Sequence, residues 1–184
     1  NEIERFKQVN EDGTSIATYA NIDEERTKGI EYNFVGTLRK NLRLMLSGSV
    51  YWDEINSDLF GSDYNKTIQG QRIRFTTMWN INPKTEFMFF MFYRPASDIA
   101  IGTMNALNFS SMSFKRKLMD DRLNLTLNIG DPFNLSGFGF TTWGDFDDDG
   151  IRDWEQTSDR KWQSRNIRLS IEYRFGKMED RSRF

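Results

Sequence analysis

The sequence predicts an all-β fold of antiparallel strands, and three observations support this prediction. Apolar and polar residues alternate with a period of two over several segments of roughly ten residues. Aromatic residues make up 15% of the chain although its mean hydropathy is −0.67. Links between the segments are alternately short and long. Strands with one face toward lipid and one toward a polar lumen account for all three, so we expect a segment of a transmembrane β-barrel.

Five segments show the alternation most clearly. Residues 29–39 place apolar or small side chains at even positions, and after a tight turn at Lys40-Asn41 the pattern continues to Asp53. Residues 72–79, 123–129 and 167–175 repeat it. Each of these segments predicts a strand of about the length that crosses an apolar band of roughly 25 Å.

Other segments are less regular. Residues 87–93 are apolar on both faces, which predicts that the lumen side packs against a plug domain or an inward loop. Residues 107–117 alternate weakly, and residues 3–9 and 15–22 are polar. The total of about nine strands is odd, whereas single-chain bacterial barrels have even numbers. We therefore expect upstream sequence to complete the barrel.

The lengths of the links give the strands a direction. Residues 11–13, 40–41, 82–84 and 119–121 form short links, whereas residues 22–28, 54–67, 96–103 and 132–163 form long ones. Outer-membrane barrels have short periplasmic turns and long extracellular loops. The last strand should therefore run from the outside to the periplasm and end near Phe175. Residues 1–176 form the predicted barrel portion, and residues 177–184 form a charged tail that we expect to be disordered.

The composition excludes several classes of protein. Lys and Arg number 25 against 27 Asp and Glu, for a net charge of −2, so no basic excess indicates nucleic acid binding. The absence of Cys excludes disulfides and Cys-based zinc sites, and the absence of His removes the usual general base. No apolar run approaches the roughly 20 residues of a membrane helix. The chain starts at Asn1 without a signal peptide, so we expect a fragment of an exported protein.

Three local motifs resemble one family. Residues 27–31 (TKGIE) resemble a Gly-aliphatic-Glu strand opening, and residues 125–134 (LTLNIGDPFN) resemble a penultimate strand that ends in an Asp-x-Phe-Asn step. Residues 164–177 resemble a closing strand. In order and spacing, these motifs are similar to the C-terminal barrel of TonB-dependent outer-membrane receptors, of the outer membrane protein beta-barrel family common in Bacteroidetes. The resemblance covers about three quarters of the chain, most firmly from Lys28 onward, and it implies a plugged barrel of about 22 strands.

The resemblance implies a transport function. Such receptors import a bulky nutrient (a siderophore, glycan or peptide) with energy supplied through TonB, and they carry a plug domain and a TonB-contacting segment upstream. The implied partners are outer-membrane lipid, the plug and upstream barrel of the same protein, the TonB complex and the barrel-assembly machinery. Two alternatives stay open: a porin, export or assembly barrel without TonB coupling, and a soluble extracellular calcium-binding β-domain. No catalytic pair stands out, so we expect no enzymatic activity.

An acidic segment in the longest link is a candidate calcium loop. Its carboxylates alternate before Gly150, which permits a sharp turn, and calcium needs six to eight oxygen ligands. The pattern resembles the Asp-x-Asp-x-Asp-Gly loops of thrombospondin type 3 repeats; the alternative is a solvated acidic loop. Calcium is the one cofactor that the sequence suggests. The candidate ligands are Asp145, Asp147, Asp149 and Asp153.

Aromatic and basic residues give two further hypotheses. Tyr173 and Phe175 are a candidate signal for the barrel-assembly machinery, and they also fit a periplasmic aromatic girdle, as do Trp52, Trp79 and Tyr93. Basic residues on the predicted lumen face either attract an anionic substrate or pair with the plug or with Asp53, Glu86 and Glu172. These basic residues are Arg43, Arg72, Arg74, Arg168 and Arg174.

Overall fold

Antiparallel strands form the whole secondary structure of the part of the chain that the structure describes. The computed structural model describes residues 2–9, 15–22, 24–57, 64–99, 102–144, 153–161 and 165–175, with side chains from residue 26 onward except those of Ser57 and Tyr64. None of these residues belongs to a helix long and apolar enough to cross a membrane. The strands are β1 (Glu2–Val9), β2 (Ser15–Ile22), β3 (Glu24–Arg39), β4 (Leu42–Ser57), β5 (Tyr64–Asn82), β6 (Thr85–Arg94), β7 (Ser97–Ile99), β8 (Gly102–Met104), β9 (Leu107–Leu118), β10 (Leu123–Gly130), β11 (Gly137–Gly144), β12 (Trp154–Lys161) and β13 (Asn166–Tyr173).

Seven of these strands form one sheet, which we call the main sheet. Its order is β13-β10-β9-β6-β5-β4-β3, and all of its pairs are antiparallel. Strands β1 and β2 form a separate hairpin. All nine segments predicted as strands are strands, and the weakly alternating segment at 107–117 pairs in register with both neighbours. Among the described residues the main sheet is open, with β3 and β13 at its edges.

Strands β3, β4 and β5 are longer than their alternation indicates. They contain 16, 16 and 19 residues, so much of the predicted links 22–28 and 54–67 is strand and not loop. At about 3.3 Å per residue, 19 residues extend about 60 Å, far more than an apolar band of about 25 Å. Outside the lipid neither face has to be apolar, so the apolar–polar pattern ends although the backbone pairing continues. The alternation in the sequence therefore underestimates the lengths of β3, β4 and β5.

The two faces of the main sheet have opposite chemistry. Because paired residues share a face, the register assigns each side chain. Ile30, Phe34 and Leu38 are 64%, 64% and 68% exposed, an apolar surface that lipid covers in a membrane barrel. The apolar face includes Ile30, Phe34, Leu46, Trp52, Phe75, Trp79, Phe87, Leu125, Leu127, Ile167 and Leu169. The polar face includes Glu31, Asn33, Ser47, Ser49, Arg72, Arg74, Lys115, Asn128 and Arg168.

Tyrosine rings lie over glycines of adjacent strands on both faces of the main sheet. Tyr32 covers Gly48 on the apolar face, and Tyr51 covers Gly70 on the polar face. At either glycine a Cβ atom would overlap the tyrosine ring. Glycine is therefore required where the ring lies flat across the neighbouring strand.

The links 96–103 and 132–163, predicted as loops, contain a second sheet, which we call the outer sheet. Its order is β12-β11-β8-β7, and β11 joins the two links by pairing with β8. Strands β7 and β8 have three residues each and are too short to show periodicity. Strand β11 carries Gly137, Gly139 and Gly144, which lower its strand propensity. The meeting of the two links confirms that they lie at the same end of the main sheet.

The outer sheet approaches the main sheet from its polar side. Lys66 of β5 donates to the Ile99 carbonyl at 3.0 Å, and Arg94 of β6 donates to the Asn105 carbonyl at 3.4 Å. Both side chains belong to the polar face. Ile55 and Ile68 lie on the same face at this end, and they are the buried apolar side chains of the described residues. The outer sheet therefore covers part of the polar face, on the lumen side.

Candidate functional site

A concave region of the polar face, here named the polar depression, gathers charged and small polar side chains. It lies across β3, β4 and β5 and has a volume of about 350 Å³. The register builds it from two adjacent rows, each with one residue from each strand. The rows are Glu31–Ser49–Arg72 and Asn33–Ser47–Arg74.

Aromatic rings hold the two arginines of the polar depression. The Arg72 guanidinium carbon lies 5.3 Å from the centre of the Tyr51 ring, and that of Arg74 lies 5.7 Å from the centre of the Phe92 ring. Both separations are within the range of a cation–π interaction. The Phe92 ring also packs against Phe109, with centroids 6.4 Å apart. The arginines are thus fixed by neighbours on the same face of the sheet.

Other charges of the polar face form ion pairs. Glu172 pairs with Arg174 at 3.0 Å, as the sequence suggested, whereas Glu86 pairs with Lys117 at 2.9 Å and not with an arginine. Sequence reasoning missed Lys117 because the register of β9 was unknown. Within the described residues, four of the five predicted lumen arginines form no ion pair with a carboxylate, and their pairing with a plug or attraction of an anionic substrate stays a prediction. These are Arg43, Arg72, Arg74 and Arg168.

An ion pair also joins β3 and β4 beyond Trp52, at the end that carries the outer sheet. Lys28 Nζ lies 2.9 Å from Glu54 Oε1. The hydrogen bond from Lys28, followed by the charge of Lys28, lowers the pKa of the Glu54 carboxyl below its usual value. Because the Lys28 side chain is 68% exposed and that of Glu54 36% exposed, solvent screens the interaction.

The acidic segment proposed to bind calcium connects β11 to β12. Asp153 is exposed, and its backbone N–H donates to the Gly144 carbonyl at 2.9 Å, which closes the base of this hairpin. Asp145, Asp147 and Asp149 lie outside the described residues. Among the residues that are described, no three acidic side chains cluster in a way that would hold a metal ion.

The aromatic pair proposed as an assembly signal lies at the end of the last strand. Tyr173 is the final residue of β13, and Phe175 follows it with 88% of its surface exposed. The rings contact edge to face, with centroids 4.6 Å apart. Since the Tyr173 side chain belongs to the apolar face, the pair lies where a girdle at the membrane surface is expected.

An apolar patch interrupts the polar face beside the arginines. Phe90 and Phe92 of β6 point to this face, as the double apolar character of residues 87–93 indicated. Met78 and Met88 face each other across β5 and β6 and are 47% and 41% exposed. Contact of this patch with a plug or inward loop stays a prediction.

The strand pattern and the two-faced sheet agree with a comparison against protein-family models. The model described as "Outer membrane protein beta-barrel family" matches residues 1–173. Neither the curated proteins nor the solved structures contain a match. A location in the outer membrane conflicts with the alternative of a soluble extracellular domain. The exposed apolar face, the polar face and the family match together show that the chain belongs to the outer membrane protein beta-barrel family and resides in the bacterial outer membrane.

Proposed function

We propose that the chain forms part of the barrel of a TonB-dependent receptor that imports a bulky nutrient such as a siderophore, glycan or peptide. The observation that carries the proposal is the outer sheet, which is folded from two links and lies over the polar face. Capture of a large, dilute solute requires a shaped surface at the mouth of the barrel. A passive porin instead requires an open aqueous channel.

The partners in this proposal follow from the open strand edges, the apolar patch and the apolar face of the main sheet. Strand edges exposed to lipid leave backbone groups without hydrogen bonds, so further strands of the same protein would pair with β3 and β13. A plug domain would cover the apolar patch around Met78 and Phe90 and would contact TonB. Lipid would cover the apolar face. The proposal assigns no catalytic step to the chain.

Two residue sets have supporting roles in the proposal. Tyr173 and Phe175 would be recognised by the barrel-assembly machinery, because they form an exposed aromatic pair at the end of the last strand. The hairpin loop with Asp145, Asp147, Asp149 and Asp153 would bind calcium and stiffen the tip of the outer sheet. Calcium would then act in loop structure and not in chemistry.

Uptake measurements in the producing bacterium test the proposed function. Growth on candidate nutrients should require the gene that encodes this chain, and inactivation of TonB should abolish it to the same extent. The purified complete protein should also pass little ion current in a planar bilayer, because a plug fills its lumen. Uptake that persists without TonB, together with a large steady conductance, would establish the porin or export alternative.

A further inference from the structure

We propose that the polar depression is an oxyanion-binding site that recognises a carboxylate or phosphate group of a solute inside the barrel. The proposal deepens the proposed function, on which it rests, because it names the chemical class of the solute that would pass through this lumen. Its basis is the pair Arg72 and Arg74, which lie on one face of β5 within a concave region.

The stacking of each arginine leaves its hydrogen-bond donors available. A guanidinium is planar, and its five N–H groups point outward in that plane. In this structure Tyr51 and Phe92 are the ring partners of Arg72 and Arg74. An aromatic ring attracts the face of the guanidinium and restricts its motion, but it accepts none of the hydrogen bonds that the N–H groups donate in the guanidinium plane. Planar, ordered guanidinium groups match the two oxygens of a carboxylate or phosphate.

The charges near the two arginines favour a bound anion. Arg72 and Arg74 are two residues apart on one strand, so their Cα atoms are about 6.6 Å apart at about 3.3 Å per residue and two positive charges belong to one small area of the face. Glu31 is the one acidic side chain of the depression, and Ser49 separates it from Arg72. Two strand spacings therefore lie between their backbones, about 9.6 Å. Asp53 shares a neighbouring concavity with Glu31 and Arg72, yet among the described residues neither carboxylate forms an ion pair with Arg72 or Arg74, so a bound anion would supply the missing opposite charge.

Small polar residues leave room for the ligand. Asn33, Ser47 and Ser49 complete the polar depression, and each can donate a hydrogen bond to an oxyanion without filling the space. Arg43 also lies on the polar face, but it differs from Arg72 and Arg74 in two respects. It does not line the polar depression, and its guanidinium does not lie over an aromatic ring of the described residues. In the register it is four residues farther along the sheet than Arg74, opposite Met78. It therefore provides a matched control.

Calorimetric titration of the complete purified protein in detergent tests the site. The probes are pyrophosphate and citrate at low ionic strength, with sodium chloride at equal ionic strength as the reference. We expect binding of at least one probe, weakened about tenfold or more by Arg72→Gln or Arg74→Gln, since each removes a charge-assisted contact. Arg43→Gln should leave the affinity within about twofold. Absence of binding by both probes, or equal weakening by Arg43→Gln, would overturn the proposal.

A second measurement separates a solute from a carboxylate of the same protein. The thermal midpoint of each variant is recorded with and without the probe. If the site is open, Arg72→Gln removes the increase that the probe causes, and the loss of its contact with Tyr51 lowers the midpoint without probe by no more than Tyr51→Leu does. A decrease without probe beyond that of Tyr51→Leu would show that the protein's own carboxylate occupies the site, and would refute a solute site.

A double lysine variant tests whether the planar guanidinium groups matter, and binding in detergent separates this proposal from TonB-dependent uptake. The double variant Arg72→Lys, Arg74→Lys keeps both charges but loses the planar donors, so we expect intermediate affinity. An affinity equal to that of the parent would reduce the site to unspecific charge and contradict the proposal. Binding in detergent needs no TonB, so failure of TonB-dependent uptake would refute the proposed function without touching this result.

Discussion

The ring of Tyr51 on β4 lies across Gly70 on β5, and the same ring lies under the guanidinium of Arg72. A Cβ atom at Gly70 would overlap the ring atoms, so the bare backbone of the glycine allows the tyrosine to lie flat. One glycine therefore sets the position of a ring and, through the ring, the position of a charge.

Substitution of Gly70 by alanine should disturb both the sheet and the arginine. The ring of Tyr51 would have to leave its rotamer or the strands would have to separate, which typically costs about 1–3 kcal/mol. Denaturant unfolding of the complete protein in lipid vesicles measures this loss. Gly36→Ala is the matched control, since nothing lies within 4 Å of a Cβ at that glycine. Equal stability of the two variants would contradict the assigned role of Gly70.

Glycine in place of Met119 should stabilise the turn between β9 and β10. Met119, Asp120 and Asp121 have φ angles of 53°, 52° and 66°, in the region that is unfavourable for L-residues. The conformational energy that Met119 pays at positive φ is larger than the entropy that glycine loses on folding. Met119→Gly should therefore raise the unfolding free energy by about 0.5–1 kcal/mol. Lys40→Gly, in a turn without positive φ, should lower it. The same denaturant experiment measures both variants, and a loss of stability in Met119→Gly would refute the prediction.

The contact between Lys28 and Glu54 should depend on pH in one direction. Since the pKa of Glu54 is lowered in the folded protein, the pair stabilises above the ordinary carboxyl pKa of 4.5 and loses this effect as the pH falls through the lowered value. The difference in thermal midpoint between the parent and Glu54→Gln should therefore be present at neutral pH and vanish in acid. A difference that grows below pH 4.5 would contradict the pair.

Truncation of Ile68 should loosen the outer sheet from the main sheet. Ile68 is 7% exposed on the polar face, and removal of such a buried side chain typically costs about 2–5 kcal/mol. We expect trypsin added to intact cells to cut near Arg160 or Lys161 faster in Ile68→Ala than in the parent. Ile30→Ala is the control, because Ile30 belongs to the apolar face. Cleavage at these sites only after the cells are broken would place the outer sheet in the periplasm and reverse the assigned direction of the strands.

Removal of the terminal aromatic pair should impair assembly. The double variant Tyr173→Ala, Phe175→Ala in the complete protein should decrease the amount that is inserted in the outer membrane and increase the amount degraded in the periplasm. Ile167→Ala, on the same face at the opposite end of β13, should insert normally. Normal insertion of the double variant would leave the two rings as girdle residues alone.

The main sheet was predictable because lipid imposes its pattern on the residues that cross it. Leu125, Leu127 and Ile129 alternate with polar residues for that reason, and the structure pairs them as expected. The outer sheet was hidden because its strands meet no lipid and contain short or glycine-rich segments. The stacking of Arg72 on Tyr51 and the pairing of Lys117 with Glu86 depend on register between strands, which periodicity in one strand does not specify. The metal-binding capacity of the acidic hairpin stays a prediction.

The pairing of β8 with β11 has a consequence for how this protein can diversify. The two links that meet there are separated in the chain by β9 and β10, yet each supplies strands that the other needs for its hydrogen bonds. An insertion or deletion in one link is therefore constrained by the other, and recombination that exchanges a single link would leave a strand unmatched. Loop grafting between relatives should succeed when both links are transferred as one cassette.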